Sequence, residues 1–301
     1  MSIKMKNLPE EEMLFHGSPG CPGCGGYLGF KLALKILGPK TMVINSTGCI
    51  TACALFGNSK VPFFHPLFNN IAAVASGIDV GLEVMGKREG VNVLVFSGDG
   101  GTADIGLQAL SGAVERGHNF VYICYDNESY MNTGGQRSGT TPFAASTTTT
   151  PAGKNSIGET RPFGQRKDMI EIIRVHGAPY VASASIGYPF DYMEKVKKAA
   201  SIKGPTYIHL HAPCPTGWGV ESRYTVEVAR RAVQCGLVVL REIEGGAQRV
   251  TVVPKERMDV TEYLKYQRRF RHIKDNEEAV GQFRSYIKDQ LDRYGLDESN
   301  S

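Results

Sequence analysis

Residues 91–106 combine residue types that could hold a phosphorylated ligand and a metal ion. A predicted strand at Asn92–Phe96 leads into the glycine-rich segment Gly98–Gly101, and a helical pattern follows at Ala103. Glycines allow a sharp turn and a close approach of the backbone to a bulky anion, and the N-terminus of the following helix favours negative charge. Asp99 would then lie at the carboxyl end of a strand, where ligands bind in open α/β sheets.

A second polar position follows the next predicted strand, Phe120–Tyr125. Between Gly100 and Asn127 lie 26 residues, about the length of one helix and one strand. Because the carboxyl ends of parallel strands meet at one edge of a sheet, Asp99 and Asn127 can converge on a single ion. Carboxylate, amide and diphosphate oxygens form a hard ligand shell that suits Mg²⁺. The alternative is an ordinary glycine-rich turn together with an Asx turn.

Four cysteines could share a metal centre. Cys21 and Cys24 form a CxxC pair among glycines, while Cys49 and Cys214 each follow a predicted strand. Four thiolates at one edge of a sheet could hold a tetrahedral Zn²⁺ or a [4Fe–4S] cluster. A zinc ribbon usually has a second CxxC pair, which this sequence lacks. Cys53 lies four residues after Cys49, and spacing alone does not decide between them as the third ligand.

Strand patterns alternate with helical patterns along the chain. Continuous apolar runs separated by helices are typical of a parallel sheet that is covered on both faces. We therefore expect an α/β fold with a mostly parallel sheet in residues 1–245, and a helical C-terminal extension in residues 246–301. The predicted strands are Thr41–Asn45, Asn92–Phe96, Phe120–Tyr125, Tyr180–Ser185, Thr206–His211 and Leu237–Arg241. The predicted helices are Tyr27–Leu37, Ile71–Met85, Ile105–Arg116, Lys167–His176 and Asp191–Ser201.

Composition and charge exclude several classes of protein. The net charge of +4 over 301 residues is too small to indicate nucleic-acid binding. No run of about 18 apolar residues predicts a membrane span, and the first residues contain no signal-peptide core. The seven cysteines show no spacing typical of a disulfide framework. We expect a cytoplasmic protein whose thiols stay reduced and are free to bind metal.

The spacing of the Gly98–Gly101 segment and Asn127 matches the thiamine diphosphate fingerprint, and it matches neither the P-loop nor the Rossmann pattern. Together with the cysteines, it resembles the beta subunits of pyruvate:ferredoxin oxidoreductases, in the 2-oxoacid:ferredoxin oxidoreductase family. The resemblance covers about residues 15–275. It is carried by GCPGCG at 20–25, STGC at 46–49, GDGGTADIGLQALSGA at 98–113, YDNESYMNTGGQRSGTTP at 125–142 and HAPCPTGW at 211–218.

The resemblance implies a thiamine-diphosphate-binding fold and gives individual residues a role. The side chains of Asp99 and Asn127 and the carbonyl oxygen of Ser129 would bind Mg²⁺. Asn132 would be the catalytic residue that faces the thiazolium ring and the substrate, and a loop-capping role is its alternative. One [4Fe–4S] cluster would be ligated by Cys21, Cys24, Cys49 and Cys214, which leaves out Cys53. The other expected cofactor contacts are Gly25, Gly48, Cys49, Gly98, Gly100, Gly101, Tyr130 and Met131.

The activity implied by the resemblance is oxidative decarboxylation of a 2-oxoacid, with coenzyme A as cosubstrate. Pyruvate, converted to acetyl-CoA and CO₂, is the expected substrate. The segment Ile50–Phe68 and Gly135 depart from the pattern of the family, which keeps oxalate and branched-chain 2-oxoacids open. Two other classes also stay open: a thiamine-dependent decarboxylase or synthase without a cluster, and a zinc-binding scaffold.

We expect the chain to act only within a complex. The chemistry needs an acidic residue against the aminopyrimidine ring, and the family carries it in a second domain of roughly 150–200 residues. After the motifs and strands at 20–241, the remaining tail of about 60 residues is too short for such a domain. The expected partners are a pyrimidine-domain (alpha-type) subunit with this acid, a gamma-type subunit, a ferredoxin-like subunit with [4Fe–4S] clusters, and ferredoxin. In the tail, the basic run Gln267–Arg271 could contact coenzyme A or a partner, and is more often a solvated or interface helix face, which is the expectation here.

Overall fold

The computed structural model describes residues 3–54 and 58–296, with a β-sheet at the centre. The strands are β1 (Thr41–Asn45), β2 (Phe63–Phe64), β3 (Asn92–Gly98), β4 (Phe120–Asp126), β5 (Ala152–Gly153), β6 (Ser156–Ile157), β7 (Tyr180–Ser185), β8 (Pro205–His211), β9 (Leu240–Glu244) and β10 (Ala247–Val252). Strands β5 and β6 form a separate hairpin. The other eight form one sheet in the order β10-β9-β7-β8-β4-β3-β1-β2.

Six neighbouring strands of this sheet, from β7 to β2, are parallel. The expected α/β fold with a mostly parallel sheet is therefore confirmed. The strand expected at 237–241 begins later, at Leu240, and β9 runs antiparallel to β7. Leu237 is buried in a cluster with the C-terminal helices, so the chain does not enter the sheet at that point.

Helices cover both faces of the sheet. The α-helices of the described residues are α1 (Gly25–Leu37), α2 (Cys49–Ala54), α3 (Ile71–Val84), α4 (Leu107–Glu115), α5 (Met169–Val175), α6 (Pro189–Ser201), α7 (Pro215–Trp218), α8 (Thr225–Gln234), α9 (Thr261–Leu264) and α10 (Glu277–Arg293). Successive residues of a strand point to opposite faces of the sheet: in β3, Leu94 and Phe96 pack against α1 and α6, whereas Val93 and Val95 pack against α3, α4 and α5. None of the described helices is both long and apolar enough to cross a membrane.

The C-terminal segment packs into a third apolar cluster. Phe283 of α10 is fully buried, and its ring meets those of Phe163 and Phe270 at centroid distances of 4.8 and 5.6 Å. The boundary expected at residue 245 falls inside the hairpin that joins β9 to β10. The last strand of the sheet therefore lies on the C-terminal side of that boundary.

The expectation of a solvated face at residues 267–271 is wrong for three of its five residues. Gln267, Arg269 and Phe270 are all buried. The backbone carbonyl of Arg269 accepts a hydrogen bond from the N–H of Ser146 at 3.1 Å. The basic run is thus part of the folded interior, and only Arg268 and Arg271 face outward.

Phe283→Ala should lower the free energy of unfolding by about 3–5 kcal/mol, because it removes a fully buried ring and leaves a cavity. Val84→Ala is the surface control, since Val84 is 84% exposed, and it should change stability by less than about 0.5 kcal/mol. Denaturant unfolding measures both values. If both changes were equally small, the C-terminal segment would not belong to the folded core.

Candidate active site

A cleft opens at the carboxyl ends of β1, β3 and β4, the edge at which ligands bind in open α/β sheets. About 460 Å³ of space lies between its walls, including the part that opens to solvent. Three of its walls are the segments that directly follow these strands. Of the residues predicted to contact a cofactor or metal, the cleft is lined by Gly48, Cys49, Gly98, Asp99, Gly100, Gly101, Asn127, Ser129, Tyr130, Met131 and Asn132.

The glycine-rich segment Gly98–Gly101 leads from β3 directly into a helical turn without left-handed backbone angles. None of its residues has a positive φ, and Asp99 has helical φ and ψ angles of −59° and −45°. A single π-helical turn, Gly100–Asp104, follows at once, and such turns often occur at functional sites. Glycine is required at position 100 by packing instead, because a Cβ there would lie 2.4 Å from the ring of Tyr130.

Three oxygen-bearing groups converge in the cleft. One side-chain amide atom of Asn127 lies 3.0 Å from Asp99 Oδ1 and 2.8 Å from the carbonyl oxygen of Ser129. In the metal-free chain, the amide nitrogen fits this position and donates to both oxygens. With the amide oxygen there, it would lie 3.0 and 2.8 Å from the other two oxygens, close to the spacing of adjacent octahedral ligands, about 3.0 Å for metal–oxygen distances of about 2.1 Å. The set therefore suits Mg²⁺.

The carboxylate of Asp99 has no cationic partner within the described residues. It is 1% exposed and accepts hydrogen bonds from the hydroxyls of Ser138 and Thr140 at 2.5 and 3.1 Å. Burial, with the charge of Asp126 beside it, raises the pKa of Asp99 well above its ordinary value. Burial acts on Asp126 too, but the hydrogen bond and charge of His209 hold the pKa of Asp126 below its usual range. A divalent cation would supply the charge that Asp99 lacks.

The four cysteines predicted to ligate a cluster line a second pocket. Three of them lie at helix N-termini: Cys24 precedes α1, Cys49 begins α2 and Cys214 precedes α7. The sulfur of Cys24 accepts a hydrogen bond from the N–H of Tyr27 at 3.4 Å, and that of Cys214 from the N–H of Gly217 at 3.3 Å. Because helix N-termini and backbone N–H groups favour thiolates, the pocket suits sulfur ligands of a metal centre.

Two of these thiols have raised pKa values. Burial, with the neighbouring thiols of Cys24 and Cys214, raises the pKa of Cys49 to about 12, and burial raises that of Cys214 to about 11. Metal binding would therefore release protons. Cys53 also lines the pocket, and its thiol neighbours are Cys24 and Cys21. Those of Cys49 include Cys214 as well as Cys24 and Cys21, which favours Cys49 over Cys53 as the third ligand.

Within residues 3–54 and 58–296, no three His, Cys, Asp or Glu side chains lie close enough to bind one metal ion together.

Asn132 lies where the cleft and the thiol pocket meet, since it lines both. Its side chain is exposed, and the loop around it is closed by other groups. The side-chain nitrogen of Gln136 donates to the carbonyl oxygen of Thr133 at 2.9 Å, and Gly134 and Gly135 make the turn with φ angles of +112° and +82°. The side chain of Asn132 therefore remains available to a ligand.

Gly25 does not line the cleft that holds the other predicted cofactor contacts. Its N–H donates to the carbonyl oxygen of Pro213 at 3.2 Å, and a Cβ at this position would lie 2.7 Å from the same oxygen. The absence of a side chain lets the start of α1 pack closely against the segment that carries Cys214. Gly25 thus holds two of the cysteine-bearing segments together.

Residues 47–210 match the family of thiamine pyrophosphate enzymes, specifically the C-terminal TPP binding domain. The pyruvate synthase subunit PorB of Methanothermobacter marburgensis is 56% identical over 275 residues, which cover 90% of this chain and 94% of that protein. The chain belongs to the beta-subunit family of 2-oxoacid:ferredoxin oxidoreductases. In this family, PorB of Methanocaldococcus jannaschii is 48% identical, with 96% and 98% covered. The ketoisovalerate oxidoreductase subunit VorB of Pyrococcus horikoshii is 45% identical, with 92% and 91% covered.

A solved structure has a similar fold. It is a 2-oxoglutarate:ferredoxin oxidoreductase from Magnetococcus marinus with 2-oxoglutarate, coenzyme A and succinyl-CoA bound. Its chain superposes with a TM-score of 0.54 at 24% identity, covering 85% of this chain and 89% of that chain. At this identity the likeness concerns the fold alone. With the family match, it confirms the expected thiamine-diphosphate-binding fold.

The metal-free chain should become more stable when Asp99 is replaced by Asn. The charged form of Asp99 is buried without a cationic partner, so at a pH above its raised pKa the substitution should raise the free energy of unfolding by on the order of 1–2 kcal/mol. Since the pKa of Asp99 is raised, the wild-type chain loses stability as the pH rises through that pKa, and the gain should shrink at lower pH. Denaturant unfolding with a chelator, at several pH values, measures the difference. A gain that did not depend on pH would contradict this account of Asp99.

Proposed function

We propose that this chain binds thiamine diphosphate, Mg²⁺ and one [4Fe–4S] cluster as a subunit of a pyruvate:ferredoxin oxidoreductase. The complex would oxidatively decarboxylate pyruvate, form acetyl-CoA from coenzyme A, and pass the electrons to ferredoxin. The observation that carries the proposal is the meeting of an oxygen-lined cleft and a thiol-lined pocket at Cys49, Asn127 and Asn132. A cofactor in the cleft would thus lie next to an electron acceptor.

Asp99, Asn127 and the carbonyl oxygen of Ser129 would hold Mg²⁺, and through it the diphosphate. The N-terminus of the helical turn that begins at Gly100 adds partial positive charge on the same side of the cleft. Thiamine diphosphate supplies an electron sink for decarboxylation. The side chain of Asn132 would orient the substrate, because no group of its own loop engages it.

Four cysteines would hold the cluster: Cys21, Cys24, Cys49 and Cys214. The N–H groups that already donate to two of these sulfurs would stabilise the negative charge of the thiolates. Since Cys49 lines both the pocket and the cleft, electrons would cross a short distance from cofactor to cluster. This arrangement supports an oxidoreductase over a thiamine-dependent decarboxylase without a cluster.

The cleft lacks groups that the reaction requires. Among the described residues that line it, Asp99 is the only carboxylate and none is cationic. Because Asp99 would bind the metal, the acid for the aminopyrimidine ring would come from an alpha-type subunit, and a cation for the substrate carboxylate from a partner as well. Leu67 lies next to the lining residue Phe68, and Ile105 follows the helical turn that begins at Gly100; they are 70% and 53% exposed. Exposed apolar side chains near a site are typical of an interface. A gamma-type subunit and a ferredoxin-like subunit would complete the complex.

Pyruvate is the favoured substrate. The relatives at 56% and 48% identity are named as pyruvate synthase subunits, and the one at 45% as a ketoisovalerate oxidoreductase subunit. Phe68 and Met131 give the cleft apolar surface, which suits an acid with a small apolar group. Oxalate would bring a second carboxylate that no residue lining this cleft would neutralise.

The chain alone should be inactive even when it carries iron, Mg²⁺ and thiamine diphosphate. Since a general acid contributes about 10²–10⁴-fold, anaerobic viologen reduction with pyruvate and coenzyme A should be at least about 100-fold slower than in the complex purified with its partner subunits. In that complex, kcat/KM should be higher for pyruvate than for 2-oxoisovalerate, 2-oxoglutarate or oxalate. Equal turnover by the chain alone would show that it carries the acid itself. A higher value for another substrate would overturn the choice of pyruvate.

Alanine variants of the seven cysteines should fall into two groups when iron content and cluster EPR are measured. Loss of the cluster is expected for the variants of Cys21, Cys24, Cys49 and Cys214. A retained cluster is expected for those of Cys53, Cys124 and Cys235. The decisive pair is Cys49 and Cys53, because both line the pocket. If iron were retained in Cys49→Ala and lost in Cys53→Ala, then Cys53 and not Cys49 would be the third cluster ligand.

A further inference from the structure

The loop that joins Asn127 to Ser129 contains a residue in an uncommon backbone conformation. Glu128, between them, has a φ of +65°, in the left-handed region that residues other than glycine rarely adopt. Such a conformation persists only when its surroundings hold it in place. Both neighbours of Glu128 are predicted to bind Mg²⁺, so whatever holds Glu128 also places two of the three ligand oxygens.

A buried ion network holds this residue from the C-terminal segment of the chain. The carboxylate of Glu128 is buried, and its Oε2 lies 2.5 Å from Nη2 of Arg269. Arg166 is a weaker partner, because its Nη2 lies 3.5 Å from Glu128 Oε1 and also serves Asp126 at 3.1 Å. Arg269 therefore provides the main counter-charge, across 141 residues of sequence.

The same arginine contacts a second support of the loop. The guanidinium carbon of Arg269 lies 3.7 Å from the centroid of the Trp218 ring, and Gln267 fixes its Nε through a hydrogen bond of 2.9 Å. The indole N–H of Trp218 donates to the carbonyl oxygen of Asn127 at 2.8 Å. Arg269 thus holds the side chain of Glu128 directly, and it packs against the indole that holds the backbone of Asn127.

We propose that Arg269 is a positioning residue for the metal-binding loop, acting through Glu128 and Trp218. The inference rests on the proposed binding of Mg²⁺ and thiamine diphosphate. Without Arg269, a buried carboxylate loses its closest counter-ion, and turning Glu128 toward water lowers the free energy of the chain. That movement separates the oxygens of Asn127 and Ser129, so metal affinity falls. The C-terminal segment thereby takes part in cofactor binding without touching the cofactor.

The test uses the assembled complex, freed of Mg²⁺ and cofactor, with Arg269→Met, Arg269→Lys and the control Arg284→Met. Arg284 also lies in the C-terminal segment and pairs with an acid, Asp259, at 2.8 Å on the surface. Titration with Mg²⁺ at saturating thiamine diphosphate gives the metal affinity. The rise in unfolding midpoint caused by both ligands gives a second measure, which general destabilisation alone would not reduce.

Arg269→Met should weaken Mg²⁺ binding at least tenfold and reduce the ligand-induced rise in midpoint. Arg269→Lys keeps the charge but loses the planar contacts, so its loss should be smaller, several-fold, and it decides the matter if the Met variant does not fold. Arg284→Met should bind as the wild type does. Wild-type affinity in the folded Arg269 variants would overturn this inference alone. A wild-type complex that bound the cofactor without Mg²⁺ would overturn the proposed function and this inference together.

Discussion

Asp99 lies at the carboxyl end of β3, almost fully buried, and hydroxyl and amide groups surround its carboxylate. Removing a charge from water is costly unless a partner of opposite charge accompanies it. Its neighbour Asp126 has such a partner in Arg166, and a hydrogen bond with His209 besides. The fold therefore keeps one negative charge at the cleft that it does not neutralise itself. A bound divalent cation would relieve that cost and give the charge a function.

The remaining parts of the site are arranged around this carboxylate. The segment after β4 brings two uncharged oxygens to it, and the segment after β1 forms the wall on which α2 begins with Cys49. Asn127 and Asn132 border both the cleft and the thiol pocket. A movement of either residue would therefore change the shape of both. Two side chains hold the loop at residues 127–129 in place: Arg269 of the C-terminal segment pairs with Glu128, and Trp218 of α7 donates to the backbone of Asn127.

Local patterns in the sequence predict the parallel strands well. Strands β1 and β7 begin and end where the apolar runs do, because a buried strand needs side chains for both faces of the sheet. Asp99 and Asn127 lie together because each directly follows one of two adjacent parallel strands. Their spacing in the sequence is therefore enough to predict that they meet, and their role as Mg²⁺ ligands stays a prediction.

Features that depend on contacts between distant segments leave no such pattern. The pairing of Glu128 with Arg269 joins residues 141 positions apart, and a basic run gives no sign of which arginine is buried. In the sequence, Gly100 indicates a turn, but in the structure glycine is needed there because a side chain would collide with the ring of Tyr130. The antiparallel strand β9 begins only at Leu240, because Leu237 is buried in the C-terminal apolar cluster. Each of these outcomes is decided by packing that exists only after the chain has folded.

The central claim is that Asp99 binds the metal that anchors the diphosphate. Calorimetry of thiamine diphosphate binding to the assembled complex, with and without Mg²⁺, tests it most directly when wild type and Asp99→Ala are compared. The account predicts that wild-type binding requires Mg²⁺ and that the variant binds well over tenfold more weakly, a loss of more than about 1.4 kcal/mol. An Asp99→Ala complex that bound the cofactor with unchanged affinity in the presence of Mg²⁺ would contradict it.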